Sequence, residues 1–505
     1  MILTYFILIP FIGGLLSWTI GIITKNTKII KYISLITIII TFLLSLIVLI
    51  YNNKEKYETN KFPNWKIEYI QPWIPKFGIN IHLAMDNISN IMIILSTFMG
   101  IISILCSWSK IDKQIGAFYF NLLWSISNTI GIFLSIDMLL LFIFWEITIF
   151  PIYFLIILWG NPTNTIIQRI HAAKKFLIYS QISGITMLVS ILSLVIIYHN
   201  NEKIWTFNYE ELLKIQNSKI LDYIIMLGFF ISFTIKIPII PFHNWLIHVH
   251  KTSPIYNTIE LTSLLLKTGI YGLFRFNLIF FPKISYNFSY FAMLIGIISI
   301  LYGSWMAFSQ TNIKKLIAYS NISHSGYIIV ALYSENQLAY QGAIIYIIAN
   351  TISSSGLFIM SEQLYNRLHT HDIRNMGGIW EKLNFLPGMS IFLFSATLGI
   401  PGTGNFIGEI AILFGVFQTT PIVSIILAYG LIFSTIYSII TIQKIFFGKN
   451  IKIKKPLKKI TKKEKIIIYT IGISSIFIGI FPKFITNITF NNIKNINYYV
   501  IKNKI

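Results

Sequence analysis

Cysteine is almost missing: Cys106 is the only one in 505 residues. That excludes a disulfide framework and any four-cysteine metal or iron–sulfur centre held by this chain alone. Charge is also scarce, at 11% of residues, and it is lopsided, with 18 Asp and Glu against 40 Lys and Arg. So few charges cannot solvate a water-soluble surface. Apolar residues make up 55% of the chain, including 40 Phe, and the mean hydropathy is +0.70, the composition of a polytopic membrane protein. The net charge of +22 raises the question of nucleic acid. Its lysines lie in short loops and its aromatics lie within apolar runs, so a membrane-topology signal explains the charge and no nucleic-acid partner is expected. Heavy use of Ile, Asn, Lys, Phe and Tyr fits an A+T-rich genome such as an organelle's.

Runs long enough to span a bilayer, about 20 apolar residues, recur near 2–24, 29–50, 83–107, 115–136, 138–158, 172–198, 222–246, 254–280, 284–308, 312–333, 339–365, 385–417, 421–445 and 465–488. The expected fold is an all-α membrane protein of about fourteen transmembrane helices. The first run starts at Met1 without a basic leader, so it is expected to be retained rather than cleaved. Loops after odd-numbered runs, with their flanks, hold 24 Lys and Arg against 9 after even-numbered runs. The positive-inside rule then puts odd loops in the matrix or cytoplasm and both termini on the opposite face. The largest contributor, KNIKIKKPLKKITKKEK from Lys449 to Lys465, reads as a solvated anchor near anionic lipid.

Two runs are interrupted alike. KIPIIPFHNWL begins at Lys236 and GIPGTGNFIGE at Gly399, each with proline removing a backbone hydrogen bond inside the span. The breaks lie in the seventh and twelfth runs, an odd offset, so a repeat relating them must be inverted in the membrane. The chain is therefore expected to divide into N-terminal helices over 1–110, a first five-helix repeat over 115–280, an inverted second repeat over 284–445, and a basic loop with a final helix over 446–505.

Ionisable groups inside spans are costly, at roughly 2.5–3.5 kcal/mol each, and so point to function. Glu146 sits near the middle of its run, and Lys236, just before the first break, is its natural cationic partner. A carboxylate moving closer or further would switch that lysine between holding and releasing a proton. Lys267, in LLLKTGIYGLFRF, has no acid within a turn, the nearest being Glu260 seven residues earlier. His243, His248 and His250 follow the break without the pattern of a metal site, so His243 and His250 are candidate proton relays, and His324 is a further relay candidate inside a span. His369 and His371 belong to a polar loop. Glu409 follows Gly402, Gly404 and Gly408, which miss the spacing of a nucleotide-binding glycine loop and instead read as a helix break beside a carboxylate.

The runs FWEITIFPIYFLIILWG, KIPIIPFHNWLIHVHKTSP, LLLKTGIYGLFRF, IKKLIAYSNISHSGY and GTGNFIGEIAILFG together resemble the proton-conducting antiporter-like family found in respiratory NADH:ubiquinone oxidoreductase, complex I. The resemblance covers roughly residues 80 to 445. It implies fourteen helices with two inverted five-helix repeats, a carboxylate–lysine pair at Glu146 and Lys236, a central lysine at Lys267, a bridging histidine at His324 and a terminal proton station at Glu409. Glutamate at the second break resembles the chain 4 branch of the family, whereas chains 2 and 5 typically carry lysine there. Asn350 departs from the family, which usually has histidine, so a relay at that position would need water or Ser353.

The resemblance further implies a mitochondrial inner-membrane subunit that pumps protons without redox catalysis of its own. It implies neighbours that include chains 2 and 5, accessory subunits and lipids such as cardiolipin. FMN, iron–sulfur clusters and ubiquinone would then be bound by partner subunits, with no cofactor or metal on this chain. A stand-alone cation/proton antiporter and a passive membrane-arm scaffold remain the competing readings.

Overall fold

A computed structural model describes residues 1–24, 26–52, 62–161, 164–215, 219–383, 385–448, 457 and 459–503. The helices in chain order are α1 Ile2–Ile23, α2 Thr27–Asn52, α3 Asn87–Ser107, α4 Ile115–Leu134, α5 Met138–Ile147, α6 Ile149–Leu158, α7 Ile166–Glu202, α8 Tyr209–Leu212 and α9 Lys219–Lys236. They continue as α10 Asn244–Thr252, α11 Ile255–Glu260, α12 Leu266–Gly272, α13 Leu278–Phe280, α14 Pro282–Ser309, α15 Ile313–Tyr333 and α16 Gln337–Leu368. The last are α17 Leu386–Thr397, α18 Gly404–Thr419, α19 Pro421–Ile442, α20 Lys462–Ile480 and α21 Pro482–Asn503. The chain is thus a predominantly α-helical polytopic membrane protein.

Every apolar run of the sequence contains helix. Length and apolarity alone select nine membrane-crossing helices among the described residues, ten if the pair α20 and α21, bent by 64°, is one span. Runs drop out through charge, interruption or uncharged polar content: α9 carries Lys219, Asp222 and Lys236, α17 and α18 are 12 and 16 residues long, and the uninterrupted α15 holds Ser320, Asn321, Ser323, His324 and Ser325. Both expected breaks are present, between Lys236 and Asn244 and between Thr397 and Gly404. A further interruption separates α5 from α6 at Thr148, and two π-helical turns, Leu261–Leu265 and Leu273–Asn277, flank α12.

One region expected as loop is a β-hairpin, β1 Ile67–Ile74 paired antiparallel with β2 Ile79–Met85. The third apolar run accordingly becomes helical only at Asn87. Asp86 stops the strand and starts the helix: its carboxylate accepts the Ser89 N–H at 2.8 Å while the Ser89 hydroxyl accepts the Asp86 N–H at 2.9 Å. Most of the basic loop from Lys449 to Lys465 lies outside the described residues.

The chain forms two compact units, residues 1–237 with 252–288 and 488–505, and residues 238–251 with 289–487. In the first unit α1 packs along α4, α7 along α9, and α12 against α9. Gly269 and Gly272 permit the last contact, because a Cβ on Gly269 would stand 2.8 Å from the Phe233 carbonyl oxygen and one on Gly272 would enter the Phe233 ring. In the second unit α16 is the central helix, and its most apolar window is entirely buried. It packs on α15, α17, α18 and α20. The outer faces of α1, α2, α7 and α19 expose Leu16, Leu43, Ile185 and Ile432, as expected of surfaces that meet lipid chains.

Candidate functional site

In the first unit, α5 carries Trp145 and Glu146, α9 ends on Lys236, and α7 supplies the wall between them. Lys236 is 1% exposed, and its ammonium lies 5.0 Å from the centroid of the Trp145 ring. Glu146 is within electrostatic range of Lys236 but closes no direct ion pair with it; its Oε2 instead accepts the Gln181 side-chain N–H at 3.0 Å. The other carboxylate oxygen occupies space left by Gly184, where a Cβ would collide with it. The expected carboxylate and lysine are therefore brought within electrostatic range of each other from separate helices, with the ammonium resting over the Trp145 indole.

Lys267 lies on α12 at 2% exposure and makes no ion pair among the described residues. The helix that bears it is pressed onto α9 beside Lys236: a Cβ on Gly269 would be 3.2 Å from the Lys236 Cβ. Glu260, at the end of α11 and 2% exposed, accepts the Ser125 hydroxyl at 3.0 Å, while its Oε1 has no partner among the described residues. Arg275, in the second π turn, pairs with the Asp86 carboxylate and lies 4.9 Å over the Trp65 ring.

In the second unit His324, Tyr346 and Glu409 form one buried hydrogen-bonded line. The Tyr346 hydroxyl donates to Glu409 Oε1 at 3.0 Å, and its oxygen lies 2.5 Å from His324 Nδ1. With the tyrosine proton directed at the carboxylate, the His324 Nδ1–H is the donor of the second bond. Glu409 is 4% exposed and has no ion-pair partner among the described residues; its remaining neighbours include the Tyr327 and Tyr437 phenols. The glycines of the break make room for it. Gly399 has φ +68° and a Cβ there would strike Glu409 Oε2, Gly402 has φ +95°, and Gly408 lets α18 touch the Tyr346 backbone. Asn405 ties the break together by donating to the Ala396 carbonyl at 2.8 Å and to Ser353 Oγ at 2.9 Å.

Tyr346 answers the difficulty raised by Asn350. It stands one turn earlier on α16 and joins His324 to Glu409, whereas Asn350 Oδ1 has no partner among the described residues. His243 lies with its ring 5.3 Å from that of Tyr302, and His250 is fully buried, stacked 4.7 Å from Phe358, near the buried Lys314 that pairs with Glu362 at 3.2 Å. Tyr346, Trp145, Gln181 and Gly184 were not identified as functional from sequence. The only signal for Tyr346 was its spacing of four from Asn350; Gly184 showed itself only as a lone glycine in an apolar helix.

Residues 135–436 match the family described as NADH:quinone oxidoreductase/Mrp antiporter, transmembrane, which is more than half of the chain. The chain belongs to that antiporter-like family. NADH-quinone oxidoreductase subunit M of Escherichia coli is 44% identical over 99% of this chain and 98% of its own length. Subunit M from a strain of Buchnera aphidicola is 45% identical over 98% of each chain. The family likeness thus extends beyond residues 80–445 to both ends of the sequence. Among solved structures, a chain of respiratory complex I from Thermus thermophilus with bound NADH superposes with a TM-score of 0.86 at 22% identity, covering 99% of this chain and 100% of that one, which establishes the shared antiporter-like fold. These relatives are bacterial, so a mitochondrial location draws no support from them.

Proposed function

We propose that this chain is a proton-translocating membrane subunit of a respiratory NADH:quinone oxidoreductase, moving protons through buried side chains while electron transfer takes place in partner subunits. The observation that carries the reading is the buried His324–Tyr346–Glu409 line, in which every member has an exchangeable proton and each is bonded to the next. Such a line has the chemistry of a proton wire. Glu146, Lys236 and Lys267 are the corresponding proton-bearing groups of the first unit, with His243 and His250 as further relays. FMN, iron–sulfur clusters and the quinone belong to the partners in this reading, among them the antiporter-like chains 2 and 5 and accessory subunits. The two interrupted helices mark two inverted repeats.

The bacterial relatives favour a bacterial energy-transducing membrane over an organelle. Odd-numbered loops, rich in lysine, would then face the cytoplasm with both termini opposite, and the basic segment from Lys449 would lie against anionic lipid such as cardiolipin.

The test is the proton-to-electron ratio of the reconstituted complex. Lys267→Ala and Glu409→Gln are expected to lower that ratio while the amount of assembled complex and its bound flavin are unchanged. An unaltered ratio in fully assembled variants would leave only a scaffold role. The family description also includes Mrp antiporters, which favours one second reading, a cation/proton antiporter. Sodium-dependent proton exchange by the isolated chain in vesicles would support it, and exchange indifferent to sodium would exclude it.

A further inference from the structure

We propose that Trp145 is a positioning residue for Lys236, and that its indole face and the adjacent Glu146 carboxylate are two alternative stations for the same ammonium group. The inference rests on the reading of Lys236 as proton-bearing. It begins with a mismatch between sequence and geometry: Glu146 was the natural partner of Lys236, yet the ammonium lies over the indole, 5.0 Å from its centroid, and the carboxylate is turned to α7. Glu146 is held there by the Gln181 amide at 3.0 Å and by the gap at Gly184.

The indole is fixed as firmly as the carboxylate. Its Nε1–H donates to Ser183 Oγ at 3.2 Å, and the Ser183 hydroxyl in turn donates to the Ser232 carbonyl at 2.9 Å. Phe233 meets the ring edge-on at 5.6 Å and an interplanar angle of 75°. Trp145 is 1% exposed, so water does not compete for its face. Ser232 and Lys236 are four apart on α9, so the helix that offers the ammonium also anchors the ring that receives it.

A charge over an indole face is attracted by the ring quadrupole, and most strongly where water is excluded. A neutral amine gains almost nothing from the same position. The ring is therefore a selective resting place for the protonated side chain, and Glu146, on the same turn of α5, is the place to which it can be drawn. The charged group that acts on it is the Glu146 carboxylate from α5, while α12, which bears Lys267, packs against α9 through Gly269.

The test is made in the assembled complex, by placing increasingly fluorinated tryptophans at position 145 through nonsense suppression and measuring NADH-driven proton pumping. Fluorine weakens the ring quadrupole with little change of shape, so a residue that only fills space would not respond. Pumping is expected to fall stepwise along the series, reaching about a tenfold loss at the most fluorinated ring and a similar loss in Trp145→Leu. Equal pumping across the series would overturn the inference, and if Trp145→Leu fails to assemble, the isosteric series still decides. Lys236→Met separates this from the underlying reading. Normal pumping by Lys236→Met would sink the proton-bearing role itself, whereas loss of pumping there with a flat fluorinated series would sink only the role of Trp145.

Discussion

Single atoms decide much of the chemistry. The Tyr346 hydroxyl links His324 to Glu409, so Tyr346→Phe, which keeps the ring, is expected to slow proton pumping by about tenfold, the kinetic equivalent of one buried hydrogen bond of ~1–2 kcal/mol. Assembly of the complex should be unaffected, and normal pumping would show that protons bypass this hydroxyl. A methyl group at Gly184 makes the complementary case. It would occupy the position of a Glu146 carboxylate oxygen, so Gly184→Ala should lower pumping nearly as far as Glu146→Gln does, although alanine itself suits a helix better than glycine. Wild-type pumping by Gly184→Ala would mean that the Glu146 carboxylate is free to settle elsewhere.

Helix interruptions position these atoms. The break before α18 needs Gly402 at φ +95°, and nothing lies within 4 Å of a Cβ built there, so Gly402→Ala is a test of backbone conformation alone. Its expected cost is ~1–2 kcal/mol of thermal stability, seen as a lower unfolding temperature without loss of assembled complex. Gly269 is the opposite case, a glycine with a permissive backbone and no room. Gly269→Val would push α12 away from the Phe233 carbonyl and the Lys236 stem, at a cost of ~1–3 kcal/mol, and should also disturb pumping because Lys267 moves with the helix.

At the scale of the molecule, the C-terminal helix is tied into the first unit by a buried charge. The Asp86 carboxylate pairs with Arg275 and accepts the Asn492 amide at 3.0 Å, while the Asn87 side chain donates to the Ile488 carbonyl. Removing one charge of such a pair strands the other, so Arg275→Met alone should cost ~3–5 kcal/mol and expose α21 to protease. The double change Asp86→Asn with Arg275→Met should recover most of the loss. If the double variant were as unstable as the single one, the charge pair would not be what holds α21.

How much of this was legible in the sequence differs from one feature to another. Hydropathy reveals the helices because a bilayer requires long apolar runs with internally satisfied backbones, and proline, joined by glycine in the second, reveals the two breaks for the same reason. The cost of burying charge singles out Glu146, Lys236, Lys267 and Glu409 before any coordinate is known. What hydropathy could not resolve were the hairpin before Asn87, whose short alternating strands lie between longer apolar runs, and the π turns flanking Lys267, which leave no mark in composition. Partner choice was equally hidden. The sequence determined which ionisable groups lie inside apolar segments, because that is a property of residue type and its neighbours along the chain; the tertiary structure alone decided that Lys236 rests on Trp145 and that Tyr346 joins His324 to Glu409, because those contacts depend on how separate helices are rotated against one another.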